Sequence, residues 1–164
     1  MKKTAPNISA WSHSVQDRDR HKCVICGDPS LHAHHIFPRA RFPHKEREID
    51  NGVSLCKQCH QLAHRGWTGA TGKTKRSCYY AFSQLLARSD GGDKTKLCGL
   101  LVIGDASNSL YAYKQKNDTA SAAAIWAEIE KICTLLNCQP GDLLERVPAE
   151  YADLSDDKST DITG

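Results

Sequence analysis

The chain has no long apolar segment, and this absence limits where it can act. No run of apolar residues approaches the roughly 20 that a membrane-spanning helix needs, so we expect no membrane attachment. Residues 1–6 (MKKTAP) do not lead into an apolar stretch, so no secretion signal is visible. A phosphate-binding loop is also excluded, because residues 72–74 (GKT) lack the earlier glycine of that motif, and Trp67 stands in its place. We therefore expect a cytoplasmic protein.

Cysteine, in contrast, is abundant, with 8 copies in 164 residues. Without a secretion signal, Cys-x-x-Cys pairs indicate metal binding in a reducing compartment rather than disulfide bonds. Two such pairs, Cys23 with Cys26 and Cys56 with Cys59, supply the four thiolates of one tetrahedral structural zinc. Buried thiols or a redox pair are the alternative. The other cysteines lack this spacing and are expected in the core: Cys78, Cys98, Cys133 and Cys138.

Histidines that a four-cysteine zinc does not need lie between and beside these pairs. His34 and His35 are adjacent on a predicted strand and point to opposite faces, so one can bind a metal while the other acts as a base. His60 and His64 are four residues apart on a predicted helix and share a face, so they can hold a divalent ion together. Asn51, across the predicted hairpin, can orient the base. A second metal site is therefore predicted.

The net charge is mild, at +3, but it is unevenly distributed. Lysine and arginine concentrate in residues 39–47 and 73–76, whereas residues 145–161 are acidic. A basic front half fits an anionic partner, nucleic acid first, with solvent-facing surface charge as the alternative.

The order of predicted elements indicates an α+β chain. A short helix, two short strands and a second helix are predicted at residues 11–20, 31–36, 53–55 and 57–65. Residues 66–75 are rich in glycine and threonine and predict a linker. Beyond it the apolar periodicity is helical, with helices expected around residues 79–86, 97–103, 107–114 and 122–136 and a turn at Gly104-Asp105.

Three segments, WSHSVQDRDRHKCVICG, HAHHIFPRA and NGVSLCKQCHQLAH, resemble the HNH endonuclease family of the zinc-knuckle type, over about residues 11–65. The resemblance implies a ββα-metal finger that cuts phosphodiester bonds in DNA with one divalent cation, Mg²⁺, Mn²⁺, Ni²⁺ or Zn²⁺. It implies that His35 is the general base and that Asn51 orients it. The implied ligands of the catalytic ion are His34, which replaces an aspartate found in relatives, His60, and His64, the last as a third ligand or a phosphate contact.

Basic residues near this motif are candidate contacts to the DNA backbone. Arg39, Arg41 and Lys57 could bind phosphates, and solvated surface charge is an equally good reading of each.

The second half has a resemblance of its own. Residues 130–150 (EKICTLLNCQPGDLLERVPAE) resemble the last helices of Cro/repressor-type helix-turn-helix domains, which places the turn and recognition helix at residues 104–114. Because a recognition helix enters the major groove, the implied DNA contacts are Ser107, Asn108, Tyr111 and Lys114. Leu100 departs from the pattern, since a small residue normally stands there. The alternative is a helical bundle that packs on the nuclease or mediates dimerisation.

These expectations combine into a two-module, metal-dependent DNA endonuclease of the phage, homing or restriction type. The predicted parts are a nuclease domain, a linker, a helix-turn-helix-like domain and an acidic tail expected to be disordered, at residues 1–66, 67–76, 77–150 and 151–164. The predicted partner is double-stranded DNA, and a homodimer stays open because a palindromic target would imply one. The alternatives are a DNA-binding transcriptional regulator with a purely structural zinc finger, and an RNA-directed nuclease.

Overall fold

The computed structural model describes residues 7–65 and 76–139, and the predicted linker and acidic tail lie outside the described residues apart from Arg76. The first range contains helix α1, strands β1 and β2, and helix α2, at Ile8–Arg18, His32–His35, Gly52–Leu55 and Lys57–Ala63. Short 3₁₀ turns at Pro43–Lys45 and Ile49–Asn51 lie between the strands. The second range contains helices α3, α4 and α5, at Cys78–Arg88, Thr95–Gln115 and Thr119–Leu135.

The two strands form an antiparallel hairpin in which His34 pairs with Val53 and His35 with Gly52. Helix α1 packs on this hairpin through Trp11 and Val15, both buried. Gly52 permits the close approach, because a Cβ at this position would lie 2.5 Å from a methyl group of Val15. The end of α1 is held by Arg18, whose guanidinium donates hydrogen bonds to the carbonyls of Ile49 and Gly52. Helix α1 therefore closes one side of the ββα unit.

Helices α3 and α4 pack directly on this unit through α2, and α5 packs on α3 and α4. Within the described residues one apolar core runs without interruption from Ile25 and Leu55 beside the cysteines to Ile129 and Ile132 of α5. Helix α4 approaches the end of β1 very closely, since a Cβ on Gly104 would lie 2.3 Å from the carbonyl oxygen of Ile36. The α+β class is thus confirmed, and the two parts share one core. The proposed domain boundaries stay a prediction.

The predicted turn at Gly104-Asp105 is wrong. Residues 95–115 form one continuous helix, so the predicted supporting and recognition helices are its two halves. Residues 101–107 of α4 are all buried, because they lie between the other helices and the ββα unit. Gly104 therefore serves close packing inside a helix, where a side chain would collide with the Ile36 carbonyl just after β1, rather than a change of chain direction.

Most other predicted elements agree with the structure. The strand predicted at 31–36 is β1 and the long helix predicted at 122–136 is α5. Cys78, Cys98 and Cys133 are buried as expected, and Cys138 is half-buried. Among the described helices, none has the length and apolar character to cross a membrane.

Candidate metal and catalytic site

The four cysteines of the two knuckles converge on one point. Their sulfur atoms all lie within 4.8 Å of one another, and the sulfurs of Cys26 and Cys56 are 3.6 Å apart. A zinc–sulfur bond of about 2.3 Å separates two sulfurs of a tetrahedron by about 3.8 Å. The donor set and its spacing therefore fit one closed structural zinc, held between the loop after α1 and the start of α2.

Arg88, at the end of α3, covers this cluster from the helical part. Its Nε lies 3.3 Å from the sulfur of Cys59, and its Nη2 lies 3.6 Å from that of Cys26 and 3.9 Å from that of Cys56. The hydrogen bond to the Cys59 sulfur raises the pKa of Arg88 above its ordinary value, so the side chain is a fixed cation. A zinc ion with four thiolates carries a net charge of about −2, which this cation partly offsets. No local pattern in the sequence indicated Arg88.

Three histidines form a second cluster. The ligand nitrogens of His34 on β1, His60 on α2 and His64, which directly follows α2, lie within 4.8 Å of one another. The Nε2 atoms of His60 and His64 are 3.2 Å apart. Two nitrogens bound at about 2.1 Å to one ion at angles of 90–109° would be about 3.0–3.4 Å apart, so this spacing fits a divalent cation. Three protein ligands also leave coordination positions open for water and phosphate oxygens.

The surroundings keep the imidazoles of His34 and His60 neutral. Burial lowers the pKa of His34 well below its ordinary value, and the neighbouring His64 and His60 lower it further. Burial and His64 lower the pKa of His60 to about 4. At neutral pH both rings therefore carry a free lone pair and can bind a metal ion without first losing a proton.

His35 lies next to this cluster but has different contacts. Its ring stacks on the indole of Trp11, with ring centroids 4.0 Å apart and planes 4° apart. Its Nε2 lies 2.8 Å from the carbonyl oxygen of Glu46. Because a carbonyl can only accept, Nε2 carries the proton and Nδ1 of the neutral ring keeps its lone pair. Nδ1 is therefore the atom of His35 that can take a proton from water.

Asn51 is buried and holds the loop between the strands. Its amide oxygen accepts from the N–H of Phe37, and its amide nitrogen donates to the carbonyls of Phe37 and Lys45. The sequence-based interpretation had this amide orienting His35 directly. In the structure the Glu46 carbonyl contacts the His35 ring, and Asn51 fixes the backbone next to that carbonyl.

A cavity of about 680 Å³ joins these groups. Its lining contains all four candidate histidines, His34, His35, His60 and His64. Helix α1 contributes Trp11 and Gln16, and the loop after β1 adds Arg39. Helix α4 contributes Asp105 and Asn108. The cavity thus brings a metal-binding set, a candidate base and an exposed arginine into one space.

Asp105 is another residue that the sequence pattern did not reveal. Its Oδ1 lies 3.1 Å from Nδ1 of His64, and its Oδ2 lies 2.8 Å from Nε of Arg65. Arg65 and Asp105 are 2% and 6% exposed, so this ion pair is inside the protein. The contacts span about 40 residues of sequence, and no local signal could have predicted them.

The residues predicted to contact DNA differ in how exposed they are. Arg39 and Lys57 are exposed, and Arg41 lies over the ring of Tyr111, 3.2 Å from its centroid. Ser107 is buried and its hydroxyl donates to the Gly104 carbonyl one turn earlier, which argues against its predicted contact to DNA, and that contact stays a prediction. The continuous helix buries this face. Asn108, Tyr111 and Lys114 are half-buried, and Asn108 opens on the cavity of the histidines.

Comparison with known families finds two separate matches along the chain. Residues 23–66 match the HNH endonuclease family, and residues 107–149 match the Cro/C1-type HTH DNA-binding domain. Neither a curated protein nor a solved structure matches the chain. The chain therefore combines an HNH endonuclease domain with a Cro/C1-type helix-turn-helix region. Helices α1 and α3 and the first half of α4 lie outside both matches, although they supply Trp11, Arg88 and Asp105.

Proposed function

We propose that this protein is a metal-dependent endonuclease that hydrolyses phosphodiester bonds in double-stranded DNA. The observation that carries the proposal is the convergence of three imidazoles and a separately held base, His35, on one cavity inside an HNH match. A purely structural zinc finger needs only its cysteines, so it leaves this second set of histidines without a role.

His35 can act as a general base that activates a water molecule. A water molecule in the cavity gives its proton to Nδ1 of His35 as its oxygen attacks the phosphorus atom. The bond between phosphorus and the leaving ester oxygen then breaks. The resulting imidazolium is stabilised because its Nε2–H already points at the Glu46 carbonyl, and stacking on Trp11 keeps the ring in place. Asn51 supports this arrangement by fixing the backbone on both sides of the loop.

The metal requirement follows from the donor set. His34, His60 and His64 would hold the divalent ion, which supplies charge neutralisation at the phosphate and the leaving oxygen when bound. The four cysteines would hold a separate zinc that keeps the hairpin and α2 together. Imidazole ligands suit Zn²⁺ and Ni²⁺, and Mg²⁺ and Mn²⁺ also belong among the ions to be tested.

DNA binding would use the basic loop and the helical region. Arg39 lies at the cavity with its side chain about two-thirds exposed, which suits a contact to the phosphate next to the scissile bond. Lys57 and Arg41 are further candidates for the backbone, and the helix-turn-helix region would select or hold the site through Asn108, Tyr111 and Lys114. Splitting cleavage from recognition is reasonable, because backbone contacts carry no sequence information.

The test is cleavage of supercoiled plasmid DNA, and of an RNA of matched length, with each of Mg²⁺, Mn²⁺, Ni²⁺ and Zn²⁺. We expect cleavage of DNA by the wild type and its loss in His35→Ala, with His44→Ala as the control because His44 is exposed and outside the cavity. Binding of DNA without any cleavage would favour the transcriptional regulator and sink the proposal. Cleavage of RNA in preference to DNA would instead support the RNA-directed nuclease.

A further inference from the structure

We propose that Asp105, on α4, is a positioning residue for the catalytic metal: it holds His64 in the one tautomer that can bind the ion through Nε2. This inference rests on the proposed function, because it assigns a role within the same site. It also places part of the nuclease centre outside residues 23–66, in the helical region.

The contact with Asp105 determines the tautomer of His64. An ionised carboxylate can only accept, so the 3.1 Å contact between Oδ1 of Asp105 and Nδ1 of His64 requires the proton on Nδ1. The lone pair of the neutral ring is then on Nε2. Nε2 is also the atom that lies 3.2 Å from Nε2 of His60, at the place where both can reach one ion. The hydrogen bond and the metal geometry thus select the same tautomer.

Asp105 is itself held in place by Arg65. Its other oxygen accepts from Nε of Arg65, the residue next to His64 in the chain. Arg65 is 2% exposed, has a positive φ of 56° at the end of α2, and also donates to the hydroxyl of Ser109 on α4. A buried carboxylate needs such a partner to stay ionised. Arg65, just after α2, is therefore fixed by two residues of α4, and it in turn fixes the Asp105 carboxylate.

Helix α4 reaches the metal ligands because it packs very closely on the chain at Ile36. Gly104 lets the helix backbone approach the Ile36 carbonyl so closely that any side chain at this position would collide. Asp105 follows directly, and its side chain enters the cavity wall beside His64. The same close approach thus brings the carboxylate next to His64, a candidate ligand of the ion. A histidine ligand commonly depends on such an acceptor, which fixes its orientation and raises its basicity.

Asp105→Asn is the sharpest variant because it keeps the shape and removes one acceptor. The carboxylate accepts from both His64 and Arg65, whereas an amide has one acceptor oxygen and one donor nitrogen. If the amide oxygen serves Arg65, its NH₂ faces Nδ1 of His64, which favours the proton on Nε2 and removes the lone pair that the ion needs. We expect the affinity for the second divalent ion to fall about 10- to 100-fold, the range found when a residue hydrogen-bonded to a metal ligand is replaced.

The experiment uses the full chain loaded with zinc and free of the second ion. Long-range ¹H–¹⁵N NMR of the histidine rings reads the tautomer, and calorimetric titration with Mn²⁺ and with Ni²⁺ reads the affinity. In the wild type we expect His64 with its proton on Nδ1, before and after the ion is added. Asp17→Asn is the matched control, because Asp17 pairs with His21 in an exposed Asp–His contact away from the metal ligands. It should leave the affinity unchanged.

Two results would overturn the proposal: a wild-type His64 protonated on Nε2 alone, or an Asp105→Asn variant that binds the second ion as tightly as the wild type. If Asp105→Asn fails to fold, the wild-type tautomer still decides. Neither readout requires DNA, so a protein that binds the ion with the expected tautomer but cleaves nothing would refute the nuclease and leave the role of Asp105 intact.

Discussion

The indole of Trp11 stacks on the imidazole of His35, with ring centroids 4.0 Å apart and planes 4° apart. The same indole donates a hydrogen bond through Nε1 to the Glu48 carbonyl, two residues beyond the Glu46 carbonyl that holds the other side of His35. Helix α1 and the loop between the strands thus hold the candidate base together. Helix α1 precedes the HNH match, so this support comes from outside the matched residues 23–66.

His35→Ala should remove the base and leave the metal site intact. General-base catalysis contributes about 10²- to 10⁴-fold, so we expect the cleavage rate to fall by that factor. His35 is not in the cluster of ligand nitrogens, so the affinity for Mn²⁺ or Ni²⁺ should stay within about twofold of the wild type. Single-turnover cleavage and calorimetry measure the two quantities. Loss of ion binding in this variant would instead make His35 a ligand.

Trp11→Phe should weaken catalysis by a smaller amount. The phenyl ring can still stack, but the hydrogen bond from Nε1 to the Glu48 carbonyl is lost and the smaller ring leaves a cavity. We expect a destabilisation of about 1–3 kcal/mol and a cleavage rate lower by about tenfold, at saturating metal. Urea unfolding and single-turnover kinetics check both. Trp126→Phe, in a buried tryptophan of α5, controls for stability alone and should leave the rate unchanged.

The features that could be predicted from sequence are local ones. Cys-x-x-Cys spacing and the four-residue spacing of His60 and His64 determine where their donor atoms point as soon as a turn or a helix forms. The strand alternation likewise separated His34 from His35. Each of these signals involves residues whose relative position depends on one element of secondary structure.

The features that could not be predicted depend on how distant elements pack. Arg88 reaches the cysteines from α3, and Asp105 reaches His64 from α4, across about 30 to 60 residues of sequence. Gly104 is a case in which the sequence predicted a feature, a turn, that tertiary packing does not produce. A glycine inside a helical pattern commonly indicates a turn or a cap, but here its missing side chain admits the Ile36 carbonyl, which only the tertiary structure reveals.

Zinc at the cysteine cluster should be required for folding. We expect about one tightly bound zinc per chain after dialysis, and loss of both zinc and helical circular dichroism in Cys59→Ser, because the binding energy of a structural zinc is also folding energy. Cys138→Ser, in a half-buried cysteine outside the cluster, should retain the zinc and the fold. A folded wild type without zinc would contradict the assignment.

Arg88→Gln should loosen the zinc without removing it. The variant loses a cation that contacts the sulfurs of Cys59, Cys26 and Cys56, and hydrogen bonds to charged groups contribute about 1.5–3 kcal/mol. We expect zinc transfer to a competing chelator to become about tenfold more favourable. Lys96→Gln, an exposed residue of α4 with the same loss of charge, should behave as the wild type. Equal zinc retention in both variants would show that Arg88 serves only to pack α3.

Arg39→Gln and Ser107→Ala should distinguish contact with the DNA backbone from a base contact at Ser107. Arg39 is exposed at the cavity, so its loss should weaken binding to all DNA sequences alike and reduce the slope of log affinity against log salt by about one. Ser107 is buried and donates to the Gly104 carbonyl, so Ser107→Ala should leave both affinity and sequence preference unchanged. Fluorescence anisotropy over a series of salt concentrations, followed by selection from a random DNA library, measures these effects. If Ser107→Ala altered the selected sequences, α4 would have to turn this face toward DNA, and the continuous buried helix could not be the DNA-bound state.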